Sequence, residues 1–439
     1  MRVLKFGGTS VGTAQKMRDV LSIINEMPGQ KMLVLSAMAG TTNALASIND
    51  QLYDAAYPEA MISINEMHAQ YETVCQELFV ASSIHYARAK SQVDRIFDDI
   101  RSLCDRSKKQ DVSKILLAQG ELLSTALFYE LSLADNLEVA LLPALDFMRL
   151  DEKSEPFIER TSALLRPIMQ QVKDKTLLIT QGYICRNHWE EIDNLRRGGS
   201  DYTATILGAI LESEEIQIWT DIDGIHNNDP RIVNDTSPIR QMSYREAAEL
   251  AYFGAKILHP TCVLPAEEMS VPVRLKYTSD PKAEGTIISD KISNKAITAI
   301  AAKDGITTIN IYSSRMLMAY GFLKKVFQVF EDHKTPVDMI TTSEVAVTLT
   351  VDYLDNIDKI KSDLEAFAEV SIKSDYTIIC IVGNELYDNS QHVNNIFNSL
   401  KKIPIRMVSM GGSRHNVSLL LKTEYKREAL ISLNSIFKV

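Results

Sequence analysis

Short apolar runs alternate with longer stretches of helical spacing along the first 290 residues. Four of these runs, at residues 32–36, 139–143, 177–181 and 216–219, are each followed by glycine or polar residues. The alternation predicts an α/β fold of βαβ units, in which a mostly parallel sheet lies between helical layers. Ligands bind such sheets at the carboxyl ends of the strands, so we expect the chemistry in the loops that follow the runs.

The pattern changes at two points. About residues 48–114 keep helical spacing but lack strand signals, which predicts a helical insertion. From about residue 295 the elements shorten. The order strand, helix, two strands, helix and strand is followed by a second, similar pass, which predicts a tandem of ferredoxin-like units. The predicted strands are 307–312, 337–340, 345–351, 370–372, 378–382, 406–410 and 417–421, and the predicted helices are 321–334, 355–368, 392–400 and 427–437.

Bulk properties narrow the class of protein. The 439 residues favour two or three domains, and we predict regions at 1–290 and 291–439. A net charge of −10 with scattered basic residues argues against a nucleic-acid partner. No apolar run is long enough for a membrane span, the first residues resemble a strand rather than a signal peptide, and the five separated cysteines suggest neither disulfides nor zinc, so we expect a cytoplasmic protein.

The first candidate for chemistry is a glycine loop after the opening strand, KFGGTS at residues 5–10. Gly7 and Gly8 allow backbone N–H groups to approach an anion, a helix N-terminus follows, and Lys5 adds a full positive charge. We interpret the loop as a phosphate site. It is not a Walker A loop, because Thr13 stands where that motif requires lysine. The alternative is a tight turn with an incidental lysine.

Two further segments suit a polar substrate. SAMAGTTN at residues 36–43 follows an apolar run and offers hydroxyls and a glycine, and QGELLST at residues 119–125 places Glu121 near a helix start. The functional interpretation is that Glu121 meets an ammonium group. The structural alternatives are that the hydroxyls cap a helix and that the carboxylate stabilises a helix dipole.

Three segments carry clustered charges. LRRGGSDYT at residues 195–203 combines two arginines, two glycines and an aspartate before a helix, which suits a carboxylate and phosphate oxygens. WTDIDGI at residues 219–225, with NDPR at 228–231, suits a nucleotide or a pair of turns. FGAKILHP at residues 253–260 offers Lys256 as a phosphate ligand or a helix-end charge.

In this order, the motifs resemble those of the aspartokinases of the amino-acid kinase superfamily over essentially the whole chain. The segments 321–323 and 337–344 resemble the effector loops of the lysine-sensitive, single-function type. The resemblance implies an amino-acid kinase fold and two ACT domains, the first at about 305–375 inserted in the second at about 291–304 and 376–439. It also implies a homodimer or homotetramer formed through the ACT domains.

The resemblance implies that ATP phosphorylates aspartate, with Mg²⁺ bound mainly through the nucleotide phosphates. Lys5 neutralises the transferring group and Asp201 orients Lys5. Arg197 clamps the α-carboxylate of aspartate and Glu121 meets its ammonium. The implied catalytic residues are Lys5, Asp201 and Gly8, the substrate residues Ser36, Thr42, Glu121, Arg197 and Ser200, and the ATP residues Lys5, Gly7, Gly8, Ser10, Gly199, Thr220, Asp221, His226, Asp229, Arg231 and Lys256.

The resemblance also implies an effector site, for which we expect L-lysine because Asp338 offers a free carboxylate for its ammonium. Two positions depart from the family pattern: His226 stands where close relatives carry tyrosine near the adenine, and Ala319 replaces a serine of the effector loop. The implied effector residues are Met316, Ala319, Gly321, Leu323, Asp338, Ser343 and Glu344.

Two other functions stay open at this stage. One is a different kinase of the superfamily, acting on glutamate, acetylglutamate or uridylate. The other is a catalytically inactive amino-acid sensor, against which the intact Lys5, Asp201 and Lys256 argue.

Overall fold

The computed structural model describes residues 1–107, 111–196, 198–253, 260–291, 296–313, 320–384, 386 and 388–438. The chain divides into two compact units. The first comprises Met1–Ile225 and Leu258–Lys291, and the second comprises His226–Ile257 and Ile292–Val439. Residues 226–257 therefore group with the C-terminal part, and the boundary near residue 290 stays a prediction.

The strands in chain order are β1 (Arg2–Phe6), β2 (Lys31–Leu35), β3 (Val139–Leu141), β4 (Leu177–Gln181), β5 (Ile184–Arg186), β6 (Ile192–Asn194), β7 (Glu215–Thr220), β8 (Gln241–Ser243), β9 (Val273–Tyr277), β10 (Thr286–Ser289), β11 (Ile297–Tyr312), β12 (Ile340–Thr342), β13 (Ala346–Val351), β14 (Glu369–Gly383), β15 (Met407–Met410) and β16 (Asn416–Lys422). The strand β1 leads directly into the glycine loop of residues 5–10. The predicted apolar runs near residues 32, 139, 177 and 216 correspond to β2, β3, β4 and β7.

The α-helices are α1 (Ala14–Glu26), α2 (Thr41–Tyr53), α3 (Tyr57–Leu78), α4 (Ile84–Ser107), α5 (Ser113–Ala134), α6 (Ala144–Phe147), α7 (Ile158–Gln171), α8 (Gly199–Ile210), α9 (Tyr244–Tyr252), α10 (Leu264–Glu268), α11 (Phe322–Asp332), α12 (Ile357–Glu365), α13 (Ser390–Ser399) and α14 (Lys426–Leu433). The segment that the spacing assigns to a helical insertion carries α3 and α4. None of the helices in the described part of the chain combines the length and apolarity that a membrane crossing requires.

The sheet of the first unit is mostly parallel. Its strands pair in the order β3-β4-β2-β1-β7-β9-β10, and the β9–β10 pair is antiparallel. Every residue of β2 and β4 is buried, as are three of the five residues of β1, as expected for central strands covered on both faces. The large buried side chains Phe6 and Trp219 stack at 5.2 Å between ring centroids and join β1 to β7. This confirms the predicted α/β fold.

The second unit contains a six-stranded antiparallel sheet in the order β12-β13-β11-β14-β16-β15. Two separate apolar cores lie along the two long central strands. One contains Ile309 of β11 and side chains of α11 and α12, and the other contains Ile300 of β11 and side chains of α13 and α14. Each half thus buries its own pair of helices, which confirms the predicted tandem of small ferredoxin-like units.

Candidate active site

The loops with candidate chemistry leave one edge of the first sheet. In the parallel register, Phe6 of β1 is opposite both Leu35 of β2 and Trp219 of β7, and Leu35 is opposite Gln181 of β4. The carboxyl ends of these four strands are therefore level. Ligand sites of α/β sheets lie at this edge, so the geometry brings the glycine loop and the polar loops together.

Lys5 and Asp201 form an ion pair at this edge. The Lys5 Nζ lies 2.6 Å from Asp201 Oδ1, and the two side chains are only 12% and 13% exposed. The angle does not suit a well-directed hydrogen bond, so the contact is chiefly electrostatic. Asp201 lies in the first turn of α8, where the helix dipole stabilises a carboxylate. The ammonium is thereby held in place before any ligand arrives.

The glycine loop packs directly on the loop that follows β2. A Cβ atom on Gly8 would lie 2.6 Å from the carbonyl oxygen of Ala37, and one on Gly12 would lie 2.9 Å from the Ala39 Cβ. The Ala39 N–H donates to the Gly8 carbonyl at 3.1 Å. Only glycine at position 8 fits this approach without shifting backbone, which leaves the loop compact beside Lys5.

Ser10 is buried and joins three strand ends. Its Oγ is 2.8 Å from Thr278 Oγ1, and the Thr278 hydroxyl donates to the Thr220 carbonyl at 3.1 Å. Sequence reasoning missed Thr278, although it directly follows β9 just as the other candidates follow their strands. This hydroxyl pair ties the glycine loop to the ends of β7 and β9.

The start of α8 packs closely on the turn after β4. A Cβ on Gly182 would lie 2.5 Å from the Ser200 Cβ, and one on Gly199 would lie 2.7 Å from Tyr183 Cδ2. Gly198, with φ 78°, precedes the helix. The backbone N–H groups of this helix start lie beside Asp201, which makes the N-terminus an anion-binding position. Gly182 and Tyr183 were absent from the sequence-based candidates.

Glu121 is a buried carboxylate beside the loop after β2. It lies in α5, is 5% exposed, and its Oε1 accepts a hydrogen bond from the Ala37 N–H at 3.2 Å. Within the described residues, no lysine, arginine or histidine lies within ion-pair distance of it. Burial raises the pKa of Glu121 to about 7. An incoming ammonium group would supply the missing counter-charge.

The loop after β2 is fixed at both ends. The Ser36 N–H donates to the Phe6 carbonyl at 3.2 Å, and the Ser36 carbonyl accepts from Ser124 Oγ at 2.8 Å. At the other end, the buried Thr41 hydroxyl is 2.8 Å from the Tyr71 hydroxyl of α3. Thr42, one residue further, is exposed in the first turn of α2. The helical insertion therefore supports this loop through Tyr71, a residue that sequence reasoning missed.

The predicted nucleotide residues fall in both units. In the first, the Thr220 hydroxyl donates to Asp221 Oδ1 at 3.1 Å, and Asp221 is exposed. In the second, His226 Nδ1 is 2.8 Å from Thr236 Oγ1. Arg231 donates to both oxygens of Asp229 at 2.9 Å, and this hydrogen bond is the main reason that the pKa of Asp229 is lowered.

Four predicted site residues lie outside the described residues: Arg197, Lys256, Met316 and Ala319. Of the other effector residues, Gly321 (φ 81°), Leu323 and Glu344 are exposed, and Ser343 Oγ accepts from the Ala346 N–H at 3.1 Å.

The Asp338 carboxylate differs from the expectation that it is free. Its side chain is 3% exposed, and its Oδ1 lies 2.7 Å from Lys303 Nζ. The sequence could not reveal this partner, because Lys303 lies 35 positions earlier, in β11.

Comparison with known proteins defines the class. Residues 1–277 match the amino acid kinase family, and residues 379–437 match an ACT domain. The chain therefore belongs to the amino acid kinase family.

Curated relatives narrow the assignment. The chain is 30% identical over 449 residues to lysine-sensitive aspartokinase 3 of Escherichia coli, covering 99% of this chain and 98% of the relative. It is 32% identical over 470 residues to the chloroplastic aspartokinase 2 of Arabidopsis thaliana, covering 99% and 84%. Within its family, this chain is an aspartokinase, and its activity is that of an aspartate kinase.

Solved structures agree over the full length. Aspartokinase III of E. coli in complex with aspartate and ADP, in the R-state, has a TM-score of 0.87 at 30% identity and covers 100% of both chains. The same enzyme in complex with lysine and aspartate, in the T-state, has a TM-score of 0.83 at 30% identity and covers 99% of both.

Proposed function

We propose that this enzyme transfers the γ-phosphoryl group of ATP to the β-carboxylate of L-aspartate. The product is 4-phospho-L-aspartate, in the first step of lysine, threonine and methionine biosynthesis. The Lys5–Asp201 ion pair between two glycine loops carries the proposal, because phosphoryl transfer depends on positioned charge rather than on a covalent intermediate. The E. coli relative in complex with aspartate and ADP supports it.

On the phosphoryl side, the Lys5 ammonium neutralises the charge that develops as the bond to ADP breaks. Asp201 orients that ammonium, and the backbone N–H groups at Gly7, Gly8 and Gly199 hold phosphate oxygens. The attacking β-carboxylate is already ionised near neutral pH, so no side chain has to remove a proton from it.

On the substrate side, each charged end of aspartate has a partner. Glu121 binds the α-ammonium and Arg197 binds the α-carboxylate, while Ser36, Thr42 and Ser200 supply hydrogen bonds. Fixing both ends leaves the β-carboxylate directed at Lys5, so proximity contributes to the rate.

In the first unit, Ser10, Thr220 and Asp221 are the proposed nucleotide residues. The proposed later residues are His226, Asp229, Arg231 and Lys256. The His226 ring replaces the family's tyrosine near the adenine and keeps a planar surface for it.

Mg²⁺ would be held mainly by the nucleotide phosphates and would supply charge neutralisation there. In the part of the chain that the structure describes, the one cluster of three potential metal ligands is His68, Glu72 and Asp94 in the helical insertion. Lys90 already contacts Glu72 and Asp94 there, at 2.6 and 3.0 Å.

A coupled assay of ADP release tests the reaction. We expect turnover with L-aspartate and a value of kcat/KM at least about tenfold lower with L-glutamate, N-acetylglutamate or uridylate, because Glu121 and Arg197 together match a free amino acid. Trapping of the acyl phosphate with hydroxylamine identifies the product. Turnover with another acceptor and none with aspartate would contradict the proposal.

Tyr71→Phe is expected to raise KM for aspartate about fivefold with little change in kcat. The variant removes the hydrogen bond to Thr41, and a neutral hydrogen bond contributes about 1 kcal/mol. Initial rates against aspartate measure the effect, and Tyr86→Phe on the neighbouring helix α4 is the matched control. Equal KM values in Tyr71→Phe and wild type would show that the loop does not depend on this bond.

We also propose that L-lysine inhibits the enzyme through the ACT domains. The lysine-sensitive relative and its complex with lysine support this, and the Asp338 carboxylate offers a partner for the lysine ammonium. Asp338→Asn should raise the lysine concentration for half inhibition by at least about tenfold. Unchanged inhibition in this variant, or inhibition of wild type by threonine alone, would exclude lysine binding at Asp338.

The proposals for the oligomeric state and the cellular location of the enzyme are taken from the same family resemblance. We propose a homodimer or homotetramer formed through the ACT domains, and a cytoplasmic enzyme, since five free and buried cysteines suit a reducing compartment. Light scattering with and without lysine measures the assembly.

A further inference from the structure

Lys303 lies in a small cage within the second unit. Its Nζ is 2.7 Å from Asp338 Oδ1 and 2.9 Å from Asp352 Oδ2, and it lies 4.8 Å from the centre of the Tyr252 ring. The two carboxylates differ in access to solvent, because the Asp338 side chain is 3% exposed and that of Asp352 is 38% exposed. One ammonium thus bridges a buried carboxylate and an accessible one.

The buried carboxylate is only half satisfied. The Tyr252 hydroxyl donates to the same Oδ1 atom at 3.0 Å, whereas Asp338 Oδ2 is buried and has no hydrogen-bond partner among the described residues. Burial raises the pKa of Asp338, although the hydrogen bond and the charge of Lys303 lower it. The single lysine therefore does not fully compensate the cost of burying this group.

The ligand proposed for Asp338 carries the same chemical group as Lys303. Both end in a primary ammonium on a flexible stem, so the effector can replace Lys303 at Asp338, and this second cation balances the excess negative charge of the two carboxylates. Exchange also leaves Lys303 with a partner, because Asp352 is already within contact distance and can be hydrated. The cost of displacement is thus smaller than that of breaking an isolated buried pair.

We propose that Lys303 is a tethered competitor of the effector, which holds Asp338 in the lysine-free enzyme and moves to Asp352 when L-lysine binds. The inference rests on the proposed lysine inhibition and deepens it. A competitor inside the chain reduces the apparent affinity of the effector to its intrinsic affinity multiplied by the fraction of molecules in which Asp338 is free. Lys303 and Asp352 therefore set the lysine concentration at which the enzyme responds.

The two ends of this exchange predict opposite effects. Lys303→Met removes the competitor and should lower the lysine Kd, and the concentration for half inhibition, about tenfold. Asp352→Asn removes the alternative partner and should raise both about threefold. Neither side chain belongs to the proposed catalytic or substrate residues, so rates without lysine should stay within about twofold of wild type.

Calorimetric titration with L-lysine and the lysine-dependent shift of Tm measure binding independently of catalysis. Lys361→Met is the matched control, since Lys361 makes an exposed ion pair with Glu365 in the same half of the second unit. It should leave the lysine Kd unchanged. Lys303→Arg is a second test that keeps the cation: a planar guanidinium can donate to both oxygens of Asp338, including the unpartnered Oδ2, so lysine should bind more weakly than to wild type.

The outcomes distinguish the competitor role of Lys303 from the proposed lysine inhibition. If wild type binds lysine and Lys303→Met binds it with equal or weaker affinity, Lys303 is not a competitor of the effector. The proposed lysine inhibition is unaffected by that result. Absence of lysine binding in wild type and in Lys303→Met overturns both. If Lys303→Met does not fold, weaker binding in Asp352→Asn and Lys303→Arg supports the exchange, and unchanged binding in both refutes it.

Discussion

Lys5→Ala is expected to lower kcat about 10²–10³-fold, with KM for aspartate and ATP changed much less. A preorganised charge that acts mainly in the transition state contributes to kcat rather than to KM, and its loss typically lowers the rate by this factor. Lys5 combines the needed features: it lies near the end of β1, close to Gly7 and Gly8, it is mostly buried, and Asp201 fixes its ammonium. Steady-state kinetics with both substrates varied measure the effect.

Asp201→Asn tests whether that carboxylate acts through Lys5. If it does, the single variant lowers kcat, and the Lys5→Ala/Asp201→Asn double variant is no slower than Lys5→Ala alone. Lys16→Ala is the matched control, because Lys16 is exposed near the same loop and contacts the Thr9 carbonyl at 2.8 Å. Near-wild-type kcat in Lys5→Ala would show that the phosphoryl site lies elsewhere.

Local sequence patterns predicted the sheet and its loops because both depend on short-range chemistry. A buried parallel strand reads as a continuous apolar run, and a loop that receives an anion needs glycine and a positive charge close together in the chain. The motif at residues 5–10 contains all of these within six positions. This motif predicted the position of Lys5 at a strand end. The parallel register of the strands then brings the other loops to the same edge of the sheet.

The two long strands of the second unit were harder to predict. The sequence divides β14 into runs at 370–372 and 378–382 because the polar residues between them resemble a turn. In the fold these residues continue the strand: Asp375 adopts φ 71° opposite an irregular register of β11, in which Gly305 has φ 76°. Polar residues at this point are exposed between two cores, so apolar periodicity could not mark them as strand.

Local sequence patterns could not predict contacts between segments that are far apart in the chain. The Ser10–Thr278 hydroxyl pair spans 268 positions, and the Thr41–Tyr71 pair joins a loop to a helix of the insertion. In a single sequence, nothing distinguishes a threonine or tyrosine that makes such a contact from one that does not. The sheet order decides which hydroxyls meet, and that order depends on the packing of the whole unit.

Glu121→Gln is expected to raise KM for aspartate at least about tenfold, with little effect on KM for ATP. The amide keeps the size of the side chain and can still accept from the Ala37 N–H, but it cannot neutralise an ammonium. Loss of a charged partner in a desolvated site costs about 2–5 kcal/mol. Glu130→Gln is the matched control, since Glu130 is also a buried acid of α5 but pairs with His85 at 3.1 Å.

The pH dependence of KM distinguishes a charged role for Glu121 from a structural one. Burial raises its pKa to about 7 in the free enzyme, so lowering the pH from 8 to 6 protonates the group and removes the charge that aspartate requires. KM for aspartate should therefore rise about tenfold per pH unit below 7 in wild type, and this rise should be absent in Glu121→Gln. The pH dependence of folding has the opposite sign: because the folded pKa is raised, the contribution of this group to stability is fully present below about pH 4.5 and is lost as the pH increases through about 7. A similar slope of KM with pH in wild type and Glu121→Gln would assign the ammonium to another partner.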